Sequence, residues 1–297
     1  MSNRFSPHGE SVPPIPAQST TALLLIDNQL GFRNTTIWGN GTSNPNYDKN
    51  ITALLDKFRG IIDASPQEQR PCIIHVQHKS VWTDSPMHPS HTGPHGVNGE
   101  DKRGIDFLEF AAPRLLRDGK LELVYTFDEP PPPQTAEERA KLQNRPPTDE
   151  IIMTKHGHSV FINTPLEHLL NKRGIKTLLI AGMSTDVAVS TAVRMAHNLA
   201  LVGKWGGRGN VADAPDSAIW TDGKGMYVRE EDCKPLDGEE AVDGYLVDMP
   251  RIVLIGDATR TFGKAGVDAE VVHAVHVESL KEFAEVRNTK EVLGALQ

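Results

Sequence analysis

The sequence predicts a three-layer, doubly wound α/β/α fold, because short apolar runs alternate along the chain with segments of helical periodicity. The apolar runs have the length and composition of buried parallel strands. Between them, apolar residues recur three and four positions apart, as in helices that bury one face. Strands that alternate with helices form a mainly parallel sheet that is covered on both faces.

The first elements follow this pattern in order. Residues 21–26, TALLLI, predict a buried strand that ends at Asp27. Residues 47–62 have apolar side chains at helical spacing, and 71–76 predict the second strand. A long loop, 77–103, follows. Together with the residue at its edge, this loop holds five of the twelve histidines, namely His75, His78, His88, His91 and His95.

The middle of the chain carries a predicted surface insertion at about 128–149. Before it, a short helix is predicted within 106–116 and an extended piece at 121–127. The prolines of EPPPPQ and NRPP bracket a polar helix candidate at 135–143. Because proline cannot occupy central strand positions, the sequence places this segment on the surface.

The strand pattern returns after the insertion. Residues 150–154 predict a strand that ends at Lys155, and 164–173 predict a helix that stops at Gly174. The stretch 178–198, LLIAGMSTDVAVSTAVRMAHN, combines a buried strand, a sharp turn and a helix. At the carboxyl edge of a parallel sheet, the backbone N–H groups of such a turn point into the crevice and favour negative charge.

A second insertion is predicted at about 201–249, where glycine, aspartate and proline are frequent. A segment of this length inside a domain is usually functional or used in assembly. We therefore expect it to form a lid over the crevice or a subunit contact. Its aromatic residues are Trp205, Trp220, Tyr227 and Tyr245.

The end of the chain completes a single domain. Residues 251–256 predict a buried strand closed by Asp257, and 268–282 predict the last long helix. The N-terminal residues 1–19 are rich in proline, serine and glycine, which predicts a loosely held arm. The predicted domain is therefore 20–297, with the two insertions inside it.

Composition and charge limit the possible partners. A formal net charge of -8 with no long basic run argues against nucleic acid or an anionic membrane. No apolar run approaches the ~20 residues that span a bilayer, and the polar start lacks a signal-peptide core, so we expect a cytoplasmic protein. Two cysteines, Cys72 in an apolar strand and Cys233 in a polar loop, are interpreted as thiols.

Three predicted strand ends bring candidate site residues to one edge of the sheet. They are Asp27, Lys155 and the turn 184–188. An acid and an amine that meet in a crevice form an ion pair whose protonation a substrate or a thiol can change. Each residue taken alone is as consistent with a structural ion pair as with catalysis.

The combination of motifs resembles the isochorismatase-like cysteine hydrolases, a superfamily that includes nicotinamidases and N-carbamoylsarcosine amidases. The matching motifs are LLLIDNQLGF with Asp27, IIMTKHGHSVF with Lys155, AGMSTDVAVSTA, and the DAT that begins at Asp257. The family carries its nucleophilic cysteine at the end of GxxTxxC, a position that is Ala188 here. The resemblance runs from about residue 21 to 293 outside the insertions and implies a six-stranded, Rossmann-like sheet.

The resemblance implies hydrolysis of a C–N bond in a small amide or carbamoyl substrate, without a cofactor. Asp27 would take the thiol proton, Lys155 would support the charged pair, and the thiolate would attack the carbonyl to form an acyl-enzyme. In this family a non-proline cis peptide bond precedes the turn, here between Met183 and Ser184. The amides of Ser184 and Ala188 would form the oxyanion hole.

The methyl group of Ala188 cannot act as a nucleophile, and three explanations fit. The chain is a deliberate Cys→Ala variant that traps substrate, a natural pseudoenzyme that only binds a ligand, or an enzyme that needs no thiol. True isochorismatases of the family work in the third way, with an aspartate that protonates a vinyl ether. We favour the first explanation, because the pattern around Ala188 is otherwise that of the cysteine branch.

Further candidate residues lie near the predicted strand ends. We expect Phe32, Gln77, His78 and His158 to contact the substrate, with ordinary loop packing as the alternative. Some nicotinamidases of the family bind a metal near the histidine loop, but the aspartate-x-histidine pattern is absent here and no metal site is predicted. Assembly into a homodimer or homotetramer is expected from the resemblance.

Overall fold

The structure is a computed structural model that describes residues 13–33, 35–91, 102–114, 123–125, 149–201, 204–206, 219–221, 226–228 and 250–297. The strands are β1 (Thr21–Ile26), β2 (Asn40–Thr42), β3 (Cys72–His78), β4 (Leu123–Tyr125), β5 (Glu150–Lys155), β6 (Thr177–Met183), β7 (Ile219–Thr221), β8 (Met226–Val228), β9 (Arg251–Arg260), β10 (Phe262–Gly263) and β11 (Glu285–Arg287). The α-helices are α1 (Thr35–Trp38), α2 (Tyr47–Ala64), α3 (Leu166–Lys172), α4 (Ser190–Leu201), α5 (Ala269–Leu280) and α6 (Thr289–Ala295). Short 3₁₀ helices cover Leu30–Arg33, Gln67–Gln69 and Glu109–Ala111, and a π-helical turn covers Thr185–Val189.

Seven parallel strands form the central sheet in the order β11-β9-β6-β1-β3-β5-β4. The chain begins in the middle, at β1, and winds outward in both directions. The predicted doubly wound α/β/α fold is thereby confirmed. The sheet has seven strands and not the expected six, because the sequence does not predict β11, whose three residues are too few to show a period.

Two hydrophobic layers cover the sheet, and the alternation of side chains along β1 separates them. Ala22, Leu24 and Ile26 join the core that includes α3 and α4. Leu23 and Leu25 join the opposite core, which includes α2 and α6. This is the two-residue period of a strand that is buried on both faces.

Two predicted strand ends differ from the observed ones. Strand β3 continues to His78, because Gln77 and His78 pair with the last residues of β5. These two residues therefore belong to the strand and not to the loop beyond it. Strand β9 likewise continues past Asp257 to Arg260, since its pairing with β6 resumes after a shift of register.

Of the short helix predicted within 106–116, the described part forms one 3₁₀ turn, Glu109–Ala111. The backbone of this segment bonds to the loop after β1, with Leu108 N–H donating to the carbonyl of Asn28 at 2.9 Å. Pro113 also disfavours a helical conformation at the residue before it.

The described part of the N-terminal arm is packed and not loose. Ile15 is completely buried and forms a parallel bridge with Leu296 near the C-terminus. Arg251 at the start of β9 donates hydrogen bonds to the carbonyls of Pro13 and Pro14. The sequence misses this because one apolar residue among prolines shows no periodicity.

The second insertion is described only in part. Trp205 is completely buried and its Nε1 donates to the carbonyl of Ala196 at 2.8 Å, so this tryptophan is neither a lid nor a subunit contact. Strands β7 and β8, which contain Trp220 and Tyr227, pair as an antiparallel hairpin. Residues Tyr245, Cys233, His95 and the helix predicted at 135–143 lie outside the described residues.

Candidate active site

Asp27 and Lys155 form a buried ion pair at the carboxyl edge of the sheet. Nζ of Lys155 lies 2.7 Å from Oδ2 of Asp27, and both side chains are buried. Strand β3 lies between β1 and β5, so the long side chain of Lys155 crosses the end of β3 to reach Asp27. The ammonium group also donates to the carbonyl of Gly157 at 3.2 Å.

Among the described residues, only one of the two carboxyl oxygens of Asp27, Oδ2, has a hydrogen-bond partner. Burial raises the pKa of Asp27 to about 6, although the nearby charge and hydrogen bond of Lys155 lower it. The second oxygen, Oδ1, is buried and has no hydrogen-bond partner in the described part of the chain. Asp27 therefore has one oxygen held by a cation and one oxygen free to take or give a proton.

His78 lies beside this pair at the end of β3. Burial lowers the pKa of His78 to about 3, and the positive charges of Lys155, His158 and His156 act in the same direction. Its imidazole is therefore neutral near pH 7. Nδ1 of His78 is buried and has no hydrogen-bond partner among the described residues.

The other predicted substrate contacts on this side are arranged differently. The amide of Gln77 donates to the carbonyl of Ile105 at 2.8 Å, which ties it to the loop that follows β3. The side chain of His158 is exposed. His75 is completely buried inside β3 and bonds to Glu150, so it belongs to the core and not to the crevice.

The turn after β6 carries position 188. A cis peptide bond joins Met183 to Ser184, as the resemblance implies, and the π-helical turn follows it. A Cβ atom at Gly182 would lie 2.1 Å from the carbonyl oxygen of Ile26, so β6 and β1 approach closely at this edge. The turn thus begins next to the end of β1. Ala188 is buried and packs in the core beneath α4.

Thr185, the first residue of the turn, is anchored through a histidine to a distant loop. Its Oγ1 is 3.0 Å from Nδ1 of His273, whose Nε2 is 3.2 Å from Nδ2 of Asn44. The same Nδ2 also faces the carbonyls of Gly256 and Thr259, which fixes it as a donor. The imidazole of His273 therefore links the hydroxyl of Thr185 to the loop that carries Asn44.

Asp186 anchors the second residue of the turn. Its carboxylate accepts hydrogen bonds from Thr261 and Lys264, which follow β9. Burial acts to raise the pKa of Asp186, but these hydrogen bonds and the charge of Lys264 outweigh it and lower the pKa. The sequence gives no local signal for these contacts, because the partners are more than seventy residues away.

Asp257 and Cys72 have structural positions. Oδ1 of Asp257, in the DAT motif, accepts from the backbone N–H and the hydroxyl of Thr289, both at 2.7 Å. It therefore holds the start of α6. Cys72 lies in the core, where burial raises the pKa of its thiol to about 11. A thiol of that pKa stays protonated near neutral pH.

A cavity of about 200 Å³ lies beyond the ends of β6 and β9. Its walls include Phe32, Phe110, Met183, Arg33 and Arg260. Phe32 was predicted to contact substrate, and its ring packs 4.9 Å from that of Trp38. Met183, which also lines the cavity, is the residue joined to Ser184. Residues Gln77, His78 and His158 are not among those that line this cavity.

Within the described ranges, no three histidine, cysteine, aspartate or glutamate side chains are grouped so that they could hold a metal ion. In the same part of the chain, no helix has the length and apolar character needed to cross a membrane.

Sequence comparison gives one family match. Residues 21–201, more than half of the chain, match the isochorismatase domain. An uncharacterized isochorismatase family protein, YrdC, from Bacillus subtilis is 26% identical over 178 residues, which are 60% of this chain and 66% of YrdC. The ureidoacrylate amidohydrolase RutB from Methylorubrum extorquens is 38% identical over 53 residues, or 18% of this chain and 21% of RutB. The chain thus matches just under two thirds of the first relative and about a fifth of the second.

Solved structures agree in fold. An isochorismatase-family structure from Chromobacterium violaceum superposes with a TM-score of 0.56 at 22% identity, covering 96% of this chain and 97% of that one. A cysteine hydrolase from Pseudomonas syringae gives a TM-score of 0.52 at 16% identity, covering 96% and 95%. At these identities the likeness concerns the fold alone.

Proposed function

The chain belongs to the isochorismatase family of hydrolases, and from that membership we propose that its site is built to cleave a C–N bond of a small amide or carbamoyl compound. The observation that supports this most is the buried pair of Asp27 and Lys155 at the same sheet edge as the turn that carries position 188. An acid with one free oxygen beside a fixed cation suits proton transfer to or from a neighbouring nucleophile.

In this proposal a cysteine at position 188 is the nucleophile. Asp27 takes the thiol proton on its free oxygen, and Lys155 stabilises the resulting charges. The thiolate attacks the substrate carbonyl, and the amides of Ser184 and residue 188 bind the oxygen that becomes negative. The amine leaves with the proton, and water then hydrolyses the acyl-enzyme. With Ala188 the site keeps its acid and its cation but cannot form the covalent bond.

A second candidate is hydrolysis of a vinyl ether without a thiol. The observation in its favour is Asp27, since a carboxyl group of pKa about 6 remains partly protonated near neutral pH. Protonation of the vinyl carbon by Asp27 would leave an oxocarbenium ion for water to attack. This candidate needs no group at position 188 and therefore accommodates Ala188 directly.

The test is Ala188→Cys, assayed against a panel of small primary amides, carbamoyl and ureido compounds. We expect turnover by the cysteine form and none by the unaltered protein. The double variant Ala188→Cys, Asp27→Asn should be inactive, because the amide of asparagine cannot accept the thiol proton. Failure of the cysteine form on every compound would refute the amide proposal. Hydrolysis of a vinyl ether by the unaltered protein would establish the second candidate.

The partners belong to the same proposal. We propose a homodimer or homotetramer that acts on a small molecule in the cytoplasm, without nucleic acid or membrane partners. The support is the family resemblance together with the net charge of -8. Light scattering of the purified protein measures the number of subunits, and a monomer at every concentration would contradict the assembly.

A further inference from the structure

The cavity beyond β6 and β9 combines apolar walls with two guanidinium groups. Phe32, Phe110 and Met183 supply apolar surface, Arg33 and Arg260 supply positive charge, and Asp48 supplies one negative charge. A cavity of about 200 Å³ is smaller than the pockets of roughly 300–1,000 Å³ that hold drug-sized ligands. A ligand that fits this cavity must therefore be a small compound.

Several contacts fix the guanidinium group of Arg260, but they use only some of its N–H donors. Its Nε and Nη2 donate to the carbonyls of Ser43 and Asn44, both at 3.1 Å, and Nη1 pairs with Asp48 at 3.0 Å. The guanidinium also stacks 4.5 Å from the centre of the Tyr47 ring. A guanidinium has five N–H donors, so one on Nη1 and one on Nη2 have no acceptor among the described residues and could bind a ligand. Such a pair suits the two oxygens of a carboxylate.

The acidic partners neutralise these arginines only weakly. The side chain of Arg260 is 16% exposed, whereas that of Asp48 is 54% exposed. Arg33 is 38% exposed and pairs with Glu109, which is 46% exposed. Ion pairs with such exposed partners are screened by water and contribute little. With two arginines and one aspartate in its lining, the cavity has a net positive charge, which favours a positive potential.

The start of α2 adds to this potential. Asp48 lies in the first turn of this 18-residue helix, whose preceding residue, Asn46, makes no side-chain cap. The positive end of the helix dipole thus adjoins the cavity. This effect supports the guanidinium groups and would not define a site by itself.

We propose that this cavity binds the carboxylate of a substrate that also carries the scissile amide or carbamoyl group. The carboxylate lies against Arg260 and Arg33, and the carbon skeleton lies between Phe32 and Phe110. The amide then points past Met183 toward Ser184 and position 188. The assignment of the bound molecule as a substrate rests on the proposed function, while the preference for a carboxylate does not.

The test is calorimetric titration of the unaltered protein, which carries Ala188, with two matched pairs of ligands. The aromatic pair is 3-carbamoylbenzoate and benzene-1,3-dicarboxamide, and the aliphatic pair is succinamate and succinamide. We expect the carboxylate member of at least one pair to bind about tenfold more tightly than the diamide, as for a charge-assisted hydrogen bond. The preference should shrink as salt is added.

Three variants of cavity residues test whether the preference for the carboxylate ligand arises in this cavity. Arg33→Gln and Arg260→Gln should each remove most of it, and Asp48→Asn should increase it about twofold, because the exposed Asp48 competes only weakly for the guanidinium. The matched control is Arg103→Gln, an exposed arginine paired with Asp106, which should change nothing. Arg260 also donates to two loop carbonyls, which Arg260→Gln would leave without these donors. If that variant does not fold, Arg33→Gln and Asp48→Asn test the carboxylate site.

Equal binding of acid and diamide in both pairs, or no binding of any of the four, would overturn the carboxylate site. So would a preference that Arg33→Gln and Asp48→Asn leave unchanged. The carboxylate site and the proposed hydrolysis can fail independently of each other. Turnover of neutral amides by Ala188→Cys without any acid preference refutes only the carboxylate site, and acid-selective binding without turnover refutes only the hydrolysis.

Discussion

Asp27 is the residue whose surroundings decide which reaction the site can support. Burial holds its pKa at about 6 in spite of the ammonium group 2.7 Å away. A carboxyl group with such a pKa serves as a base above pH 6 and as an acid below it. The two candidate mechanisms therefore use the same side chain in opposite protonation states, and pH separates them.

In the Ala188→Cys variant, kcat/KM for an amide should rise with pH through a midpoint near 6, because Asp27 must be ionised to accept the thiol proton. For the vinyl ether reaction the sign is reversed, and kcat/KM of the unaltered protein should fall as pH rises through the same value. The measurement is kcat/KM from about pH 4.5 to 8.5. An amide profile with a single midpoint near the ordinary thiol pKa of about 8.5 would contradict the assigned role of Asp27.

The strand, turn and helix that surround position 188 show what local sequence can and cannot predict. The sequence predicts the buried strand and the helix after it, since both follow from apolar periodicity. It does not predict the π-helical form of the turn or its anchors. Those anchors, His273 on Thr185 and Lys264 on Asp186, come from parts of the chain with no spacing relation to the turn.

The close approach of β6 and β1 makes Gly182 sensitive to substitution. In Gly182→Ala the new Cβ would lie 2.1 Å from the carbonyl oxygen of Ile26, and the φ of +122° is one that alanine rarely adopts. We expect a loss of about 3 kcal/mol or more in the free energy of unfolding, measured by urea denaturation.

The matched control is Gly60→Ala within α2, where a Cβ meets no atom within 4 Å. This substitution should stabilise the protein by about 0.5–1 kcal/mol, because alanine favours a helix over glycine. If both variants unfold at the same urea concentration as the parent, the close packing between β6 and β1 does not constrain this position.

At the scale of the whole molecule, the sequence predicts the layers and their order but not the contacts that close them. Ile15 joins the C-terminus at Leu296, and Asp257 bonds to Thr289 at the start of α6. Both contacts depend on the final arrangement of the sheet and carry no local pattern. The meeting of Asp27 and Lys155 was expected because both residues end parallel strands, and the ends of parallel strands share one edge.

The buried histidines couple the stability of the whole molecule to pH. Burial lowers the pKa of His75, His78 and His273, and for His78 the value is about 3. The unfolded chain takes up these protons near pH 6.5, whereas the folded protein does not. Stability from these groups is present above that pH and is lost as pH falls. Asp27 acts in the opposite sense, because its raised pKa favours the folded state below about 6.

We therefore expect the free energy of unfolding to fall on acidification from about pH 7 to 4.5. His78 contributes a loss of up to about 1.4 kcal/mol per pH unit and Asp27 cancels a contribution of that size, so the lowered pKa values of His75 and His273 leave a net loss of stability. Urea denaturation at several pH values measures the slope. His75→Gln should reduce it by removing one titrating group. A stability that stays constant or rises between pH 7 and 5 would show that these histidines are protonated in the folded protein.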